Sequence, residues 1–431
     1  MKPGGDKRVR RTKEAVPVMD SELAAAVLAH IREEPIISMA REVINIPSPT
    51  GEELGMAKYM QATLEEMGLA VSWQEVEEGR PNVIGRLEGR GRGKSLMFNG
   101  HMDTSYTGRE AHLRGIGYKP NAVVQDGVIY GLGIYNMKGA LVCYVQAVKA
   151  LQGAGVKLDG EVIIAAVVGE IEKAQWSEEF LGKHYRGYGV GSHYLVNHGV
   201  VPDMCILGEP TDMQLVLGHY GSLWVRLSTH GPYMHTGFSA GRQGENSIRR
   251  MHDVLQVVLD WSATWQEKAA YGDKKGVVNL GGIRGGHPGR ASRTPERTDL
   301  FLDVRLPPTM SLNEARRGVQ ELVTVLRDRY PDYGIEFETY VSVPGAEISD
   351  QHELVKAIQT NHRWVTGESP RRSTVLWCSD ASVLSRYGIA TVNYGPSSGP
   401  RDAEGEKVRI KTLLDITKIY ALTAVQLCGA H

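Results

Sequence analysis

The sequence is short of cysteine, of net charge and of long apolar runs, and each shortage excludes a class of protein. The four cysteines, at positions 143, 205, 378 and 428, lie far apart and form no C-x-x-C pair. A reduced, cytoplasmic setting is therefore expected, with the thiols acting as small core residues. The formal net charge of −1 argues against nucleic acid or an anionic membrane as the main partner. No apolar run is long enough to span a bilayer.

What the chain does contain is enough apolar sequence for two domains. Its 431 residues exceed what one ordinary core requires. Hydrophobic residues make up 42% and charged residues 23%, as in soluble globular proteins. The amino terminus, MKPGGDKRVRRTK, is basic but lacks the apolar segment of a signal peptide, so residues 1–20 are expected to be a mobile tail.

Several predicted buried strands are each followed by a polar side chain. The continuous apolar run 162–168 is typical of a strand buried on both faces of a parallel sheet. The polar residues that follow such strands are His101, Asn136, Glu170 and Glu209. A doubly wound α/β domain gathers the carboxyl ends of its strands in one crevice. His101 has Asp103 two residues on, an acidic group that can orient a metal-bound imidazole, so a metal site is predicted there.

The pattern changes near Leu217 and returns near Asp350. The elements predicted between them are strands over 224–229, 277–283, 299–305 and 335–341, and helices over 246–265 and 313–330. Their β-α-β-β-α-β order is the ferredoxin-like signature. We therefore predict a catalytic α/β domain over 21–217 and 342–431, with an inserted dimerisation (lid) domain over 218–341. Within the catalytic domain, one helix is expected over 21–46 and a hairpin around Asp126-Gly127.

Several motifs in this chain resemble those of a known metallohydrolase family. They are NGHMD, GLGIYNMKGA, VVGE, LGEPTD, GPYMHTG, CSDAS and YGP, and the similarity runs over nearly the whole chain. The family includes aminoacylase, succinyl-diaminopimelate desuccinylase, acetylornithine deacetylase and the glutamate carboxypeptidases. Its members usually hold two divalent ions bridged by an aspartate, with a glutamate as general base. The resemblance implies that His101 and Glu209 bind metal, and that Glu170 is the catalytic base with Asp103 beside it.

The chain departs from the family pattern at the metal-binding positions. Asn136 occupies the position of the bridging aspartate, and Ile171 occupies that of a glutamate ligand, with Glu172 displaced by one residue. Asp402 stands where the family has its last histidine ligand. An anionic bridge offsets the repulsion between two dications, and a neutral amide does so poorly. One divalent transition-metal ion per subunit, Mn²⁺ or Zn²⁺, is therefore expected, with His101, Asn136, Glu209 and Asp402 as candidate ligands.

Each assignment has a structural alternative. His101 could be a core histidine, and Glu170 could be an ion-pair partner, but ligand and catalytic roles are favoured for both. Asn136 could cap the following helix instead of binding metal, and Asp402 could be a solvated loop charge. For these last two residues both interpretations stay open.

The inserted domain supplies the candidates for substrate binding. His235 matches a family histidine that reaches across a dimer to the partner's active site. Arg290, Arg293 and Arg305 could hold a substrate carboxylate, which arginine binds bidentately. The alternative for Arg305 is that it only ties the sheet together. A small-molecule substrate carrying a carboxylate, and a homodimer or larger homo-oligomer, are expected.

The altered metal positions favour an altered reaction. The expected enzyme is a metal-dependent hydrolase that delivers activated water to a C–N bond. In overall likeness the chain resembles the 5-nitroanthranilate aminohydrolases, which implies hydrolytic deamination of an aromatic amine with release of ammonia. An amidase or carboxypeptidase acting on N-acyl amino acids or peptides is the alternative enzyme. A catalytically silent, small-molecule-binding relative is a further alternative, against which Glu170 argues. Cysteine or serine nucleophiles find no support, since no cysteine is expected near a cleft turn with a partnering histidine.

Overall fold

A computed structural model describes residues 20–173, 185–399 and 402–430. The expected basic tail, residues 1–20, lies outside the described residues except for Asp20. The described helices are α1 (Ser21–Ala29), α2 (Glu33–Ile44), α3 (Leu54–Glu66), α4 (Gly139–Gly153), α5 (Val190–Asn197), α6 (Ser247–Lys268), α7 (Leu312–Arg329), α8 (Glu353–Thr366), α9 (Ala381–Leu384) and α10 (Ile410–Cys428). Not one of these helices is both long and apolar enough to cross a membrane.

The strands of the described residues form three sheets. They are β1 (Ala70–Glu77), β2 (Arg80–Leu87), β3 (Leu96–His101), β4 (Val123–Gln125), β5 (Val128–Tyr130), β6 (Val162–Val167), β7 (Met204–Leu207), β8 (Leu215–His219), β9 (Gly221–His230), β10 (Val278–Gly285), β11 (Arg297–Leu306), β12 (Glu336–Val343), β13 (Ala346–Glu347), β14 (Arg372–Val375), β15 (Ala390–Asn393) and β16 (Lys407–Arg409).

The largest sheet is a mixed sheet of nine strands. Its order is β1-β2-β6-β3-β7-β15-β8-β13, with β14 beside β8. The central strands β6, β3, β7 and β15 run parallel to one another. The flanking strands β1, β2 and β13 pair antiparallel with their neighbours. The carboxyl ends of the four parallel strands therefore meet at one edge, where open α/β sheets bind ligands.

Helices cover both faces of this sheet, as a doubly wound fold requires. Alternate side chains of a strand point to opposite faces. Accordingly, Leu96 and Phe98 of β3 pack into the core formed with α2, α3, α4 and α10. Met97, between them, packs into a second core with residues of α5 and α9. Every residue of β3 and β6 is buried, which matches the continuous apolar sequence of β6 and the apolar first half of β3.

The second sheet has the predicted ferredoxin-like arrangement. Its four strands are antiparallel in the order β10-β11-β9-β12, and α6 and α7 pack against one face around a core of their own. The chain order is β-α-β-β-α-β, and the strands span Gly221 to Val343. This confirms the fold class, an α/β domain with an inserted α+β unit. The exact limits 218–341 stay a prediction.

A third, small sheet joins two segments that border the metal centre. Strands β4 and β5 form the predicted hairpin, whose turn residues Asp126 and Gly127 have φ of 50° and 73°. Strand β16 pairs with β5, so that Lys407 lies opposite Tyr130. This pairing brings the segment after residue 402 against the glycine-rich turn that carries Asn136.

The single helix expected over 21–46 is wrong, because the chain forms two helices there. Helix α1 ends at Ala29 and α2 begins at Glu33. Proline has no N–H to donate, and in a helix interior its ring clashes with the carbonyl four residues earlier. Pro35 therefore fits the first turn of α2 but could not continue a helix from α1.

Candidate metal centre

Three neighbouring parallel strands bring ligand-type side chains together. His101 ends β3, Glu170 follows β6 and Glu209 follows β7, and one donor atom of each lies within 4.8 Å of the others. The Nε2 atom of His101 is 3.6 Å from Oε2 of Glu170 and 4.0 Å from Oε1 of Glu209. Among the described residues no other group of three His, Cys, Asp or Glu side chains converges in this way.

The other face of the His101 ring fixes its tautomer. The Nδ1 atom lies 2.9 Å from the backbone carbonyl oxygen of Asp103, which can only accept a hydrogen bond. Nδ1 therefore donates a hydrogen bond to that oxygen, and Nε2 is the ring nitrogen that faces the cluster and would be left to bind a cation. The side-chain oxygen of Asn136 lies 3.1 Å from this Nε2. Nε2 and this oxygen thus both face the cluster, and a shared cation would use both as ligands.

Asp103 positions both the histidine and the glutamate-bearing turn. Its carboxylate is fully buried and accepts the backbone N–H groups of Glu170 and Ile171 at 3.1 and 3.2 Å, and the Thr50 hydroxyl at 2.9 Å. Burial alone would raise the pKa of Asp103, but His101 and these donors outweigh it and lower the pKa to about 2. Asp103 is thus an ionised group behind His101, the predicted metal ligand.

Asn136 faces the cluster and does not cap the next helix. Helix α4 is preceded by Lys138, and no side chain caps its first turn. The backbone at Asn136 is extended, with φ of −124° and ψ of 93°, and the 136–137 peptide bond is cis. Its backbone N–H donates to Glu406 at 3.1 Å, as does that of Tyr135 at 3.2 Å. The capping interpretation of Asn136 is therefore wrong.

The cluster carries more negative charge than its neighbourhood compensates. Burial raises the pKa of Glu170 well above its usual range, and the adjacent Glu209 carboxylate raises it further. Burial also raises the pKa of Glu209 to about 7, and its Oε1 has no hydrogen-bond partner among the described residues. For His101, burial opposes protonation, but Asp103 and the two glutamates raise its pKa well above the usual value. A divalent cation would compensate this charge and the orphaned oxygen, so the donor set fits a metal.

Comparison with known proteins identifies the family of the chain that carries this centre. The sequence profile of peptidase family M20/M25/M40 matches residues 97–426, which is most of the chain. The chain belongs to this M20 family. It is therefore a metal-dependent hydrolase that acts on C–N bonds, as the motifs predicted.

The curated M20 relatives match over almost their full length. The chain is 28% identical over 421 residues to succinyl-diaminopimelate desuccinylase of Gluconacetobacter diazotrophicus, covering 92% of this chain and 97% of that one. It is 24% identical over 427 residues to N-formyl-4-amino-5-aminomethyl-2-methylpyrimidine deformylase of Bacillus subtilis, covering 92% and 95%.

Solved structures share the fold at lower identity. The di-peptidase Dug1p of Saccharomyces cerevisiae has a TM-score of 0.74 at 14% identity, covering 94% of this chain and 98% of that chain. Human carnosine dipeptidase 1 has a TM-score of 0.71 at 15% identity, covering 96% and 100%. These similarities confirm the α/β architecture with its inserted unit.

The remaining M20 metal positions do not join the cluster. The side chain of Ile171 is 8% exposed in the cavity wall and offers no donor atom. Asp402 lines the same cavity, but it forms an ion pair with Lys407 and accepts the backbone N–H of Glu404 at 3.0 Å. The structure thus assembles His101, Asn136, Glu170 and Glu209 without Asp402, and a ligand role for Asp402 stays a prediction.

Three of the four predicted substrate-binding residues of the inserted unit do not line this cavity. His235 and Arg293 are paired through a β-bridge, and His235 Nδ1 accepts the Gly237 N–H at 3.1 Å. The Arg293 guanidinium lies 5.6 Å from the Tyr233 ring centroid, and Arg290 is exposed in a short 3-10 turn. None of the three lines the cavity of this chain, and their substrate roles stay predictions.

Arg305 reaches the cavity wall but is already bound to carboxylates. Its guanidinium nitrogens lie 3.0 Å from both oxygens of Glu172, and 2.7 and 2.9 Å from Asp303. The pair with Glu172 joins β11 of the inserted unit to the turn after β6. These contacts favour the alternative in which Arg305 ties the structure together.

Sequence reasoning missed most of the cavity wall. The cavity encloses about 630 Å³, and its wall includes four aromatic side chains, Tyr106, Tyr118, Tyr135 and Trp377. They come from loops or from single helical turns (Ile116–Tyr118 and Ile134–Lys138), which are too short for periodicity to mark a residue as inward-facing. Cys378 also lines the cavity, contrary to expectation, but burial raises the pKa of its thiol well above the usual value, which disfavours a thiolate nucleophile.

Proposed function

We propose that this chain hydrolyses an aromatic amine, such as 5-nitroanthranilate, and releases ammonia. The proposal rests on the metal centre, which lacks the bridging carboxylate and one glutamate ligand of the family pattern. Donor atoms of His101, Glu170 and Glu209 converge there, and the amide oxygen of Asn136 lies beside His101 in place of the bridging carboxylate. Ile171 offers no donor atom where the family has a glutamate ligand. A peptide-bond hydrolase of this family that holds two ions would need the missing bridging carboxylate and the missing glutamate ligand. One ion, most simply Mn²⁺, suits one imidazole with oxygen ligands, and Zn²⁺ is the alternative.

The shape and chemistry of the cavity support an aromatic substrate. The rings of Tyr106 and Tyr118 lie edge to face, with centroids 5.8 Å apart. Together with Tyr135 and Trp377 they offer flat apolar surface around the cluster. Aromatic pairs in offset or edge-to-face geometry contribute about 0.5–1.5 kcal/mol beyond area burial. A planar ring is therefore held with its amine-bearing carbon near Glu170.

The residues of the chain supply the proton transfers. A divalent cation held by the cluster would supply Lewis-acid chemistry, lowering the pKa of a nearby water molecule. Glu170 takes one proton from the attacking water, whose oxygen forms a bond to the amine-bearing ring carbon. A nitro group para to the amine accepts the developing negative charge. Glu170 then delivers the proton to the nitrogen, the C–N bond breaks, and ammonia and a ring hydroxyl result.

An amidase is the second candidate, and one observation favours it. The curated relatives are a desuccinylase and a deformylase, and both names describe removal of an acyl group from nitrogen. Glu170 could serve that reaction in the same role. The deformylase is named for a pyrimidine substrate, which a cavity with aromatic walls would also suit.

The proposal also includes self-association of the chain and a cytoplasmic location. Strand β10 is an outer strand of the four-stranded sheet, and its Ile283 side chain is 61% exposed. An open edge strand with apolar side chains favours pairing with a second copy of the chain. The four cysteines, all within the described part, form no disulfide, which suits a reducing cytoplasm.

A parallel assay separates the two activities. Metal-free protein is supplied with Mn²⁺ and given 5-nitroanthranilate or N-acetyl amino acids, and ammonia and acetate are measured. Ammonia without acetate, lost in the Glu170→Gln variant, is the expected result. Acetate without ammonia would establish the amidase, and silence on both substrates would count against either enzyme.

A further inference from the structure

The catalytic cavity has an uneven distribution of charge. Five carboxylates line it among the described residues: Glu170, Glu172, Glu209, Asp402 and Glu406. Only two cations, Lys173 and Lys407, line it in that part of the chain. A substrate anion would be repelled from most of this wall, so its position depends on which cation is available.

The cations at the cavity are not equivalent. The Nζ atom of Lys407 forms an ion pair with Asp402. Arg305, behind the wall, is held by Glu172 and Asp303. The ammonium group of Lys173 has neither an ion pair nor a hydrogen bond to any described residue. Of the cations at this wall, it is the one that has no partner to lose among residues 20–173, 185–399 and 402–430 when an external anion binds.

The backbone holds Lys173 close to the catalytic glutamate. Its N–H donates to the carbonyl oxygen of Ile171 at 2.7 Å, and the N–H of Tyr188 donates to the same oxygen at 3.3 Å. Gly187 packs directly against this turn, where a Cβ atom would lie 2.5 Å from that oxygen. The side chain therefore starts from a fixed turn three residues after Glu170. It is half-buried, and burial lowers the pKa of its ammonium group, a sign of partial desolvation that strengthens attraction to an anion.

We propose that Lys173 binds a carboxylate of the substrate and thereby selects the substrate class. The inference rests on the proposed deamination and narrows it to aromatic amines with an acidic group close to the amine-bearing carbon. The amine side of the ring faces Glu170 and Glu209, and the acidic group faces Lys173. This assigns to Lys173 the role that the sequence suggested for arginines of the inserted unit.

A pair of substrates isolates the contribution of the carboxylate. The Mn²⁺-loaded protein is assayed with 5-nitroanthranilate and with 4-nitroaniline, which lacks only the carboxylate. Loss of a charge-assisted contact weakens binding roughly 10–100-fold, so Lys173→Gln should raise KM for 5-nitroanthranilate by that factor. KM for 4-nitroaniline should not change, and Lys173→Arg should restore part of the loss.

A second cavity supplies the matched control. Lys173 also borders a cavity lined by Tyr340 and Arg386, on the side of β12. Arg386→Gln removes a positive charge there and should leave both KM values unchanged. If Arg386→Gln weakened 5-nitroanthranilate binding as much as Lys173→Gln, the anion would lie in the second cavity and the inference would be wrong.

A binding measurement distinguishes failure of this inference from failure of the proposed reaction. Calorimetry with 5-nitroanthranilate reports affinity whether or not ammonia forms. Binding that weakens in Lys173→Gln, with no ammonia from the native chain, would leave Lys173 as the anion site and remove the deamination. If the native chain released ammonia and the native and Lys173→Gln proteins bound 5-nitroanthranilate equally well, the proposed reaction would stand and the role of Lys173 would be wrong.

Discussion

At the scale of single residues, Asn136 is expected to set how tightly the centre holds a metal ion. Its amide oxygen lies 3.1 Å from His101 Nε2, in the place where the family resemblance implies a bridging aspartate. An amide dipole contributes less than a full negative charge to a dication, so the native centre is expected to bind metal more weakly than a carboxylate-bridged one.

The Asn136→Asp variant tests this assignment. It should bind Mn²⁺ about tenfold or more tightly, measured by competition with a chelator, because a formal charge replaces the amide. The number of ions should stay at one, since Ile171 still offers no donor. The triple variant with Ile171→Glu and Asp402→His should take up two ions. Binding of two ions by the native protein would contradict the prediction of a single-ion centre.

A buried histidine outside the metal centre predicts a pH dependence of stability. Burial, reinforced by the positive charge of Arg305, lowers the pKa of His219 to about 4, and its Nε2 has no hydrogen-bond partner in the described part of the chain. The unfolded chain binds this proton near the usual pKa of about 6.5. The contribution of neutral His219 to folding stability is therefore complete above about pH 6.5, and it is lost as the pH falls toward 4.

Denaturant titrations at several pH values measure this loss. Between pH 6.5 and 4 the contribution of His219 to the free energy of unfolding should fall by about 3 kcal/mol. The His219→Gln variant should lack that part of the pH dependence. His252→Gln is the control, since the ring of His252 is exposed and is not desolvated on folding. An unchanged slope in His219→Gln would refute the assignment.

The convergence of His101, Glu170 and Glu209 could be predicted from sequence because each follows a strand of recognisable apolar pattern. The parallel order of β6, β3 and β7 then places all three at one edge. Lys173 and Trp377 could not be found in this way. They lie in segments outside the helices and strands, and their orientation depends on contacts such as the Gly187 approach, which leave no periodic trace.

At the scale of elements, one ion pair joins the inserted sheet to the turn that follows β6 and carries Glu170. Arg305 on β11 is 13% exposed in its side chain and binds Glu172, two residues after Glu170. A buried pair is worth little relative to an apolar replacement of both partners, but breaking it from one side leaves a buried charge unpaired.

Arg305→Leu is expected to destabilise the folded chain by about 3–5 kcal/mol, because Glu172 and Asp303 lose their shared partner. Urea unfolding measures the change. Adding Glu172→Gln and Asp303→Asn should recover much of it, since the uncompensated charges are removed. If Arg305→Leu instead kept full stability and raised only KM, the earlier prediction of substrate binding by Arg305 would be restored.

The long elements were predictable and the short ones were not. Helices such as α6 and α7, with 22 and 18 residues, carry several turns of apolar periodicity. Strands β13 and β14 have only two and four residues, too few to show alternation. The break between α1 and α2 was missed because apolar spacing continues across it, although Pro35 forbids a continuous helix.

At the scale of the whole molecule, the exposed edge strand β10 predicts self-association. Ile283→Lys places a charge on that edge and should convert a dimer into monomers in sedimentation experiments, because charged edge strands disfavour pairing. Trp364→Lys is the control, since Trp364 is 49% exposed on α8 of the catalytic domain. A monomeric native chain, or a dimer that survives Ile283→Lys, would count against pairing through β10.

The proposed one-ion deaminase is tested most directly by titrating metal-free protein with Mn²⁺ while ammonia release from 5-nitroanthranilate is followed. The rate should rise to a plateau at one ion per chain, and Glu170→Gln should bind the same single ion without releasing ammonia. A plateau reached only at two ions per chain, or one ion with acyl hydrolysis and no ammonia, would contradict this proposal.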